Sequence, residues 1–299
     1  MNLAFRLLSW LLCQLPFPVS TWLACRVGDV MYLLSTSRRK IASQNLERAF
    51  SASLTPKRRA EIARGAFQST AVSLAELFMM PKMVKEVHSR IRFFNRRYLD
   101  DAFRQGKGVI LVVSHLGSWE YLAFLPILMK RRLSVVVKNI RDPGLDQHVN
   151  ALRRMTTINP IPKKDSIKQA VRELKQNHAV TILIDQWAGP EGLWQDFFGS
   201  PTSTTSIPAR LALRFGSALV PAFCFRTSAG HYDIEICAPL SAEGCDESQI
   251  THDLNALLES QIERHPEQWL WTHRRWKAKP LVIREPALPS SSPRHAAAP

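Results

Sequence analysis

Hydrophobic and polar positions follow two different periods along this chain. From residue 38 to residue 80, apolar side chains recur every three or four positions, which predicts helices. Further on, short and mainly apolar runs alternate with segments of helical period. The predicted strands are GVILVVS, LSVVVK, AVTILID, ALVPAFCF and HYDIEICAPL, and the predicted helices cover residues 118–131, 143–155, 166–177, 206–216 and 247–264. Strands this apolar cannot face water, so we expect an α/β fold with a largely buried sheet that helices cover on both faces.

The first 36 residues are rich in Leu, Trp and Val but contain no run of about 18 apolar residues, which a membrane-spanning helix requires. The apolar positions are interrupted by Arg6, Gln14, Pro16, Pro18, Arg26 and Asp29. A cleaved signal peptide is disfavoured, because no small-residue cleavage site clearly follows an apolar core. We therefore expect residues 1–36 to form a helix or helical hairpin at a membrane interface, with residues 37–40 at the head-group level. The alternative is an amphipathic helix that caps the globular domain.

The chain carries 40 Lys and Arg residues against 25 Asp and Glu residues, a formal net charge of +15. Such a charge suits nucleic acid, an anionic membrane leaflet or an acidic carrier protein, and does not choose among them. The five cysteines form no C-x-x-C pair and no cluster with histidine at zinc-binding spacing, so we expect neither a disulfide framework nor a metal site. The tail 285–299 is rich in Pro and small residues and is predicted to be disordered.

The turn after the first buried strand holds two residues capable of acid–base chemistry, His115 and Glu120. Their spacing is weak evidence by itself, but open α/β sheets bind ligands at the carboxyl ends of their strands, where this turn lies. Buried imidazole and carboxylate groups need polar partners, so we expect the two side chains to pair with each other. A neutral imidazole oriented by a carboxylate can deprotonate a hydroxyl group, whereas the alternative is a purely structural pair. The sequence has no G-x-S-x-G turn, which disfavours a serine acyl-enzyme.

Six segments of the chain form an ordered set of motifs. In chain order they are NLERAF (45–50), VVSHLGSWE (112–120), GLDQHVNALRR (144–154), ILIDQWAGPEGLWQDFFG (182–199), TTSIPARLALRFGSALVP (204–221) and PEQWLWTHRRWK (266–277). Over about residues 1–280, the chain resembles the bacterial lipid A biosynthesis (lauroyl/myristoyl-type, late) acyltransferases of the lysophospholipid acyltransferase superfamily. The resemblance implies a mixed, glycerolipid acyltransferase-like sheet flanked by helices, with an acyltransferase domain at residues 37–284 after an N-terminal membrane-associated helix.

The resemblance also implies roles for four residues. His115 matches the family's general base and Glu120 the acid that orients it. Arg153 matches an arginine implicated in substrate binding, and its guanidinium could hold a phosphate or a carbonyl oxygen. Asp185 matches an aspartate near the site, with capping of the following loop as its alternative role.

The activity implied by the resemblance is O-acyl transfer at the inner membrane, by a catalytic domain that faces the cytoplasm. An acyl carrier protein thioester, or a coenzyme A thioester, would supply the fatty-acyl chain, and a hydroxyl group of a phosphorylated glycolipid, a lipid A precursor, would accept it. No cofactor is needed. A different membrane lipid, such as a lysophospholipid, mannolipid or aminolipid, is an alternative acceptor.

The segment QWLWTHRRWK interleaves tryptophans with cations, and out of context it could indicate a nucleic-acid surface. It equally suits a bilayer interface, a lipid phosphate or closure of the core, and we assign it no catalytic role. We expect an anionic membrane and no nucleic acid as partner. The alternative from a different class is a non-catalytic basic protein that binds membranes or nucleic acid.

Overall fold

A computed structural model of the protein describes residues 3–50, 53–137, 140–162 and 166–277. The tail 285–299, predicted to be disordered, lies outside these residues. The helices are α1 (Leu3–Gln14), α2 (Phe17–Leu34), α3 (Thr36–Phe50), α4 (Pro56–Phe78), α5 (Met80–Arg90), α6 (Arg96–Arg104), α7 (Leu125–Met129), α8 (Pro143–Arg154), α9 (Ser166–Lys175), α10 (Ile207–Phe215) and α11 (Glu247–Arg264), with 3₁₀ turns at Trp119–Phe124 and Pro266–Gln268. The strands are β1 (Ile91–Phe94), β2 (Val109–Val113), β3 (Leu133–Val137), β4 (Asn159–Pro162), β5 (Ala179–Leu183), β6 (Leu193–Phe197), β7 (Ser200–Thr204), β8 (Ala218–Ser228) and β9 (His231–Ile236).

The main sheet has the strand order β1-β9-β8-β2-β5-β3-β4. Neighbouring strands are parallel except β8 and β9, which are antiparallel, and β6 and β7 form a separate antiparallel hairpin. Every residue of β2 is buried, with Leu111 in the hydrophobic cluster on one face of the sheet and Ile110 in the cluster on the other. The predicted α/β fold, a mixed and largely buried sheet flanked by helices, is therefore confirmed.

The predicted helix over residues 118–131 is wrong in its form. Residues Trp119–Phe124 make a 3₁₀ turn, and only the short helix α7 follows. Pro126 lies in the first turn of α7, where its missing N–H is tolerated, but it could not have donated to the carbonyl of Leu122 within one continuous α-helix. The α-helix therefore begins at Leu125, directly before this proline, and the turn that carries Glu120 is wound more tightly than predicted.

Helices α1 and α2 pack on the domain through one side only. Gly28 lies so close to α4 that an added Cβ would be 2.5 Å from the Cα of Gln68. The other side leaves large apolar residues in solvent, among them Leu7, Trp10, Trp22, Leu33 and Leu34. In the ranges 3–50, 53–137, 140–162 and 166–277, no helix has the length and hydropathy needed to cross a membrane.

Candidate active site

His115 and Asp185 each lie two residues beyond the end of a parallel strand. Strands β2 and β5 are neighbours in register, with Val113 opposite Leu183, so both chains emerge at the same edge of the sheet. The His115 ring contacts Asp185 through Nδ1 and Oδ1 at 2.9 Å, and the His115 backbone N–H donates to Oδ2 at 2.9 Å. The imidazole and the carboxylate therefore form a pair that is fixed by both backbone and side chain.

A third donor completes the surroundings of Asp185. The indole Nε1–H of Trp269 donates to Oδ2 at 3.0 Å, and the Asp185 side chain is 2% exposed. Burial alone would raise the pKa of this carboxyl, but the charge and hydrogen bonds of His115, with the Trp269 bond, outweigh it and lower the pKa to about 2. The carboxylate is therefore ionised and accepts a hydrogen bond from Nδ1–H, which leaves Nε2 as the basic nitrogen.

The pKa of His115 is raised above its ordinary value. Burial disfavours the imidazolium, but the charge of Asp185, its hydrogen bond and a smaller contribution from Glu120 together outweigh burial. The histidine is therefore a stronger base than a free imidazole and remains held in one tautomer.

The expected pairing of Glu120 with His115 is wrong. Arg153 takes the Glu120 carboxylate instead, through Nε to Oε2 at 3.0 Å and Nη2 to Oε1 at 2.5 Å. Asp185 already occupies Nδ1 of His115, so the carboxylate nearest in sequence is not the nearest in space. The four residues singled out in the sequence thus assemble as two pairs, His115 with Asp185 and Glu120 with Arg153.

The turn between His115 and the 3₁₀ helix is held closely against two other chain segments. Gly117 has φ +67°, and an added Cβ would come within 2.1 Å of the Cys224 carbonyl oxygen. Backbone hydrogen bonds join Gly117 N to Gln268 O at 2.9 Å and Ser118 N to Cys224 O at 2.7 Å. A side chain at position 117 would therefore push the turn off β8, which is why a glycine is required there.

A cavity of about 290 Å³ opens beside His115, Glu120 and Arg153. Its other lining residues are mainly apolar: Val113, Trp119, Leu122, Ala123, Leu133, Val135, Val136, Val137, Ile140, Ile158, Thr181, Leu183 and Gln186. An apolar cavity with a few polar groups at one side is typical of a site that buries a ligand's hydrocarbon part and reacts at its polar end. Across the part of the chain that the structure describes, no group of three or more His, Cys, Asp or Glu side chains is arranged to hold a metal ion.

Sequence reasoning missed three residues that surround the His115–Asp185 pair. Besides Trp269, these are Gln186, whose amide nitrogen lies 3.4 Å from His115 Nε2, and His273, whose Nε2 accepts the backbone N–H of Trp187 at 3.2 Å. Burial lowers the pKa of His273 to about 4, so its ring is neutral at pH 7. The concentration of indoles near residue 270 was the available signal, but it was equally consistent with a surface role.

The chain is similar to known proteins in sequence and in structure. The model of a family described as bacterial lipid A biosynthesis acyltransferase matches residues 4–278. The lipid A biosynthesis palmitoleoyltransferase of Escherichia coli (strain K12) is 29% identical over 282 residues, which cover 91% of this chain and 89% of that protein. The lipid A biosynthesis lauroyltransferase of the same strain is 26% identical over 278 residues, with the same coverage of 91% and 89%.

Two further similarities reach beyond lipid A enzymes. The phosphatidylinositol mannoside acyltransferase of Mycobacterium tuberculosis (strain CDC 1551 / Oshkosh) is 24% identical over 185 residues, which cover 60% of this chain and 58% of that protein. The crystal structure of the 1-acyl-sn-glycerophosphate (LPA) acyltransferase from Thermotoga maritima aligns with a TM-score of 0.38 and 14% identity, over 87% of this chain and 98% of that one.

Proposed function

The chain belongs to the bacterial lipid A biosynthesis acyltransferase family, and we propose that it transfers a fatty-acyl chain from a thioester to a hydroxyl group of a lipid A precursor at the cavity beside His115. The observation that carries this proposal is the basic Nε2 of His115 next to an apolar cavity, with Nδ1 fixed by Asp185. Such a cavity can bury an acyl chain while its carbonyl carbon stays near the base.

The chemical step then needs one base. His115 Nε2 removes the proton of the acceptor hydroxyl as its oxygen attacks the thioester carbon. The tetrahedral intermediate collapses with cleavage of the C–S bond, and the departing thiolate takes the proton back from His115. Asp185 holds the imidazole in the active tautomer and stabilises its transient positive charge.

Glu120 acts through Arg153 in this proposal. The Glu120 contacts use Nε and Nη2 of Arg153, and Nη1 makes no hydrogen bond within the described part of the chain. The carboxylate therefore fixes the plane of the guanidinium, and Nη1 binds a phosphate or carbonyl oxygen of the substrate.

An acidic acyl carrier protein is the proposed thioester donor. Its support is a groove of about 720 Å³ lined by residues that include Lys40, Arg48 and Arg274, which form no ion pair within the described residues. This groove, which we call the basic groove, connects to the site through His273. Asn45, which lines the groove, donates to the His273 carbonyl oxygen at 2.7 Å, and His273 Nε2 accepts the N–H of Trp187, two residues after Asp185. Charge complementarity of this kind steers acidic partners to a surface.

The donor proposal is tested by reversing two charges of the basic groove. Arg48→Glu with Arg274→Glu should raise KM for a carrier-borne thioester while leaving KM for a small pantetheine thioester unchanged, because the latter needs no protein docking. Lys168→Glu with Lys175→Glu on α9 is the matched control. Equal effects of both double variants, or equal effects on both thioesters, would show that the basic groove is not the docking surface for the carrier protein.

We also propose that the exposed apolar sides of α1 and α2 insert into the inner membrane surface, with the catalytic domain on the cytoplasmic side. Trp10 and Trp22 are 58% and 59% exposed, and an apolar side of this kind binds at the acyl–headgroup boundary. Trp10→Ser with Trp22→Ser should reduce flotation with vesicles of inner-membrane lipids, whereas Leu213→Ser on α10 should not. Unchanged flotation of the double variant would place membrane contact elsewhere.

Acyl transfer itself is tested with purified protein, a carrier-borne acyl thioester and vesicles that contain a phosphorylated lipid A precursor. Product mass and free thiol are followed together. His115→Ala should lose at least about 10²-fold in kcat, as expected for removal of a general base, while His252→Ala, an exposed histidine on α11, should match the wild type. A mannolipid acceptor is assayed in parallel; transfer to it alone would refute the lipid A assignment and retain the acyltransferase chemistry.

A further inference from the structure

Two consecutive residues contact opposite nitrogens of the His115 ring. Asp185 binds Nδ1 with its buried carboxylate, while the exposed side chain of Gln186 places its amide nitrogen 3.4 Å from Nε2. This second contact is longer than the usual 2.7–3.2 Å of a protein hydrogen bond, so little is lost when it is exchanged for another. A hydroxyl group that donates its proton to Nε2 must come within about 2.6–3.2 Å of that nitrogen, and so must displace the Gln186 amide.

The backbone at Gln186 is fixed even though its side chain is exposed. The fully buried Arg275 donates from Nη1 to the Gln186 carbonyl oxygen at 3.0 Å, and also to Ser203 O at 2.6 Å. Burial lowers the pKa of Arg275 to about 10, which still leaves the guanidinium charged at neutral pH. On the other side of Gln186, His273 holds the N–H of Trp187. Because the backbone is held on both sides of this side chain, the Gln186 amide remains close to His115 after a hydroxyl group displaces it from Nε2.

We propose that Gln186 is a further catalytic residue, whose side-chain amide donates a hydrogen bond to the thioester carbonyl oxygen as that oxygen becomes negatively charged; this inference rests on the acyl transfer proposed above. When the acceptor oxygen bonds to the carbonyl carbon, its proton moves to His115 Nε2 and the carbonyl π electrons move onto the carbonyl oxygen. The oxyanion is one bond from the carbon under attack, close to where the displaced amide is anchored. When the intermediate collapses, the C–S bond breaks and the thiolate receives the proton from Nε2.

A neutral amide suits this position. It stabilises the developing charge without adding a cation that would repel the imidazolium formed in the same step. A preorganised donor to an oxyanion acts on the transition state more than on the bound substrate, so its removal lowers kcat rather than raising KM.

The test compares wild type with Gln186→Met and Gln186→Glu in the acyl-transfer assay with carrier-borne thioester and lipid acceptor. Gln186→Met keeps the length of the side chain but has no donor, and it should lower kcat by about 10²- to 10³-fold with KM little changed. Gln186→Glu should lose more, because its carboxylate repels the oxyanion. The same carboxylate stabilises the imidazolium and should move the acid limb of the kcat profile to higher pH. Gln249→Met, at an exposed position on α11, should retain wild-type kcat.

The possible results are distinct. A role confined to filling space would let Gln186→Met and Gln186→Glu keep kcat near the wild-type value, and that result would overturn the inference. A rise in KM with unchanged kcat would also overturn it, by assigning Gln186 to substrate binding alone. If His115→Ala is inactive in either case, the proposed function stands without this inference; if wild-type protein transfers no acyl group to any acceptor, both fail together.

Discussion

Arg153 binds both carboxylate oxygens of Glu120, and their side chains are 16% and 15% exposed. The imidazole five positions before Glu120 is bound by a carboxylate from another strand end. The site therefore contains two separate hydrogen-bonded pairs that can be perturbed one at a time, which makes their separate contributions measurable.

We expect strong coupling between Glu120 and Arg153 in a double-mutant cycle. Glu120→Gln or Arg153→Met each leaves one charge largely buried without its partner, which should lower the free energy of unfolding by roughly 1.5–3 kcal/mol. The double variant should lose less than the sum, as measured by urea denaturation. The same cycle on Arg92 and Asp233, whose arginine is 68% exposed, should give about 1 kcal/mol or less. Additive losses at the first pair would contradict the expected coupling.

Asp185→Asn should change the pH dependence of catalysis. The proposed base, His115, must be neutral to act, so kcat/KM of the wild type should fall as pH drops through the raised pKa of this residue. Removal of the Asp185 charge lowers that pKa, so the acid limb should move to lower pH. At the plateau, kcat should fall on the order of 10⁴-fold, because an amide does not enforce the active tautomer. A pH–rate profile with its acid limb unmoved would show that Asp185 does not control the base.

The same substitution should alter acid stability in a defined window. The pKa of Asp185 is lowered from 3.8 to about 2, so the ionised group stabilises the folded state above its unfolded pKa, and this contribution is lost as pH falls towards 2. Unfolding free energies measured between pH 5 and pH 2 should therefore decline less steeply in Asp185→Asn than in wild type. Parallel curves for the two proteins would mean that Asp185 is not the titrating group.

Trp269→Phe should remove one hydrogen bond to the Asp185 carboxylate while preserving most of the aromatic packing. The variant removes one of the donors to a buried carboxylate, which costs roughly 1.5–3 kcal/mol for a charged acceptor, and it should raise the pKa of Asp185. The matched control is Trp271→Phe, because its indole donates to the Pro266 carbonyl oxygen at 2.7 Å and not to the carboxylate. Both should lower the melting temperature, but only Trp269→Phe should reduce kcat.

Leu133 should limit the length of the acyl chain. It lines the cavity beside His115 and also a second cavity of about 10 Å³. Its partner in register is Ala179, six residues before Asp185 along β5, a depth of about 20 Å. Leu133→Ala should join the two cavities and shift the preferred thioester to longer chains by on the order of two or three carbons, the size of the group removed.

The control for the chain-length prediction is Leu125→Ala. Leu125 lines only the second of the two cavities, so its truncation should enlarge that cavity without opening the wall between them. A series of thioesters of increasing length, assayed with all three proteins, separates the two cases. An equal shift in both variants would show that general loosening of the core, rather than Leu133, sets the length.

The proximity of His115 and Asp185 could in part be predicted from sequence. Each residue follows a uniformly apolar strand, and the carboxyl ends of parallel strands meet at one edge. Sequence periodicity did not predict that β2 and β5 are neighbours, because strand order depends on packing between distant segments. Without it, Glu120 was chosen as the partner of His115 by nearness in the chain.

Other features that the sequence did not predict, strand β1 and the contact of Trp269 with Asp185, have similar causes. Strand β1 has four residues with alternating burial at the sheet edge, too short a pattern to stand out beside the fully buried strands. Trp269 reaches Asp185 across a sequence separation of 84 residues, and no local pattern predicts which indole turns inward. The N-terminal helices could be predicted because a stretch rich in Leu, Trp and Val that polar residues and prolines interrupt is visible in the sequence alone, and their membrane contact stays a prediction.

The placement of β1 against β9 also matters while the ribosome is still making the chain. Arg92 meets Asp233 only after 141 further residues have been added, which takes roughly 7–28 s at ordinary elongation rates. Helices α1, α2 and α4, in contrast, all precede the sheet strands in the chain and pack on one another locally. The nascent protein therefore presents its Trp- and Leu-rich helical side well before its sheet can close, and during that interval lipid or a chaperone has to cover it.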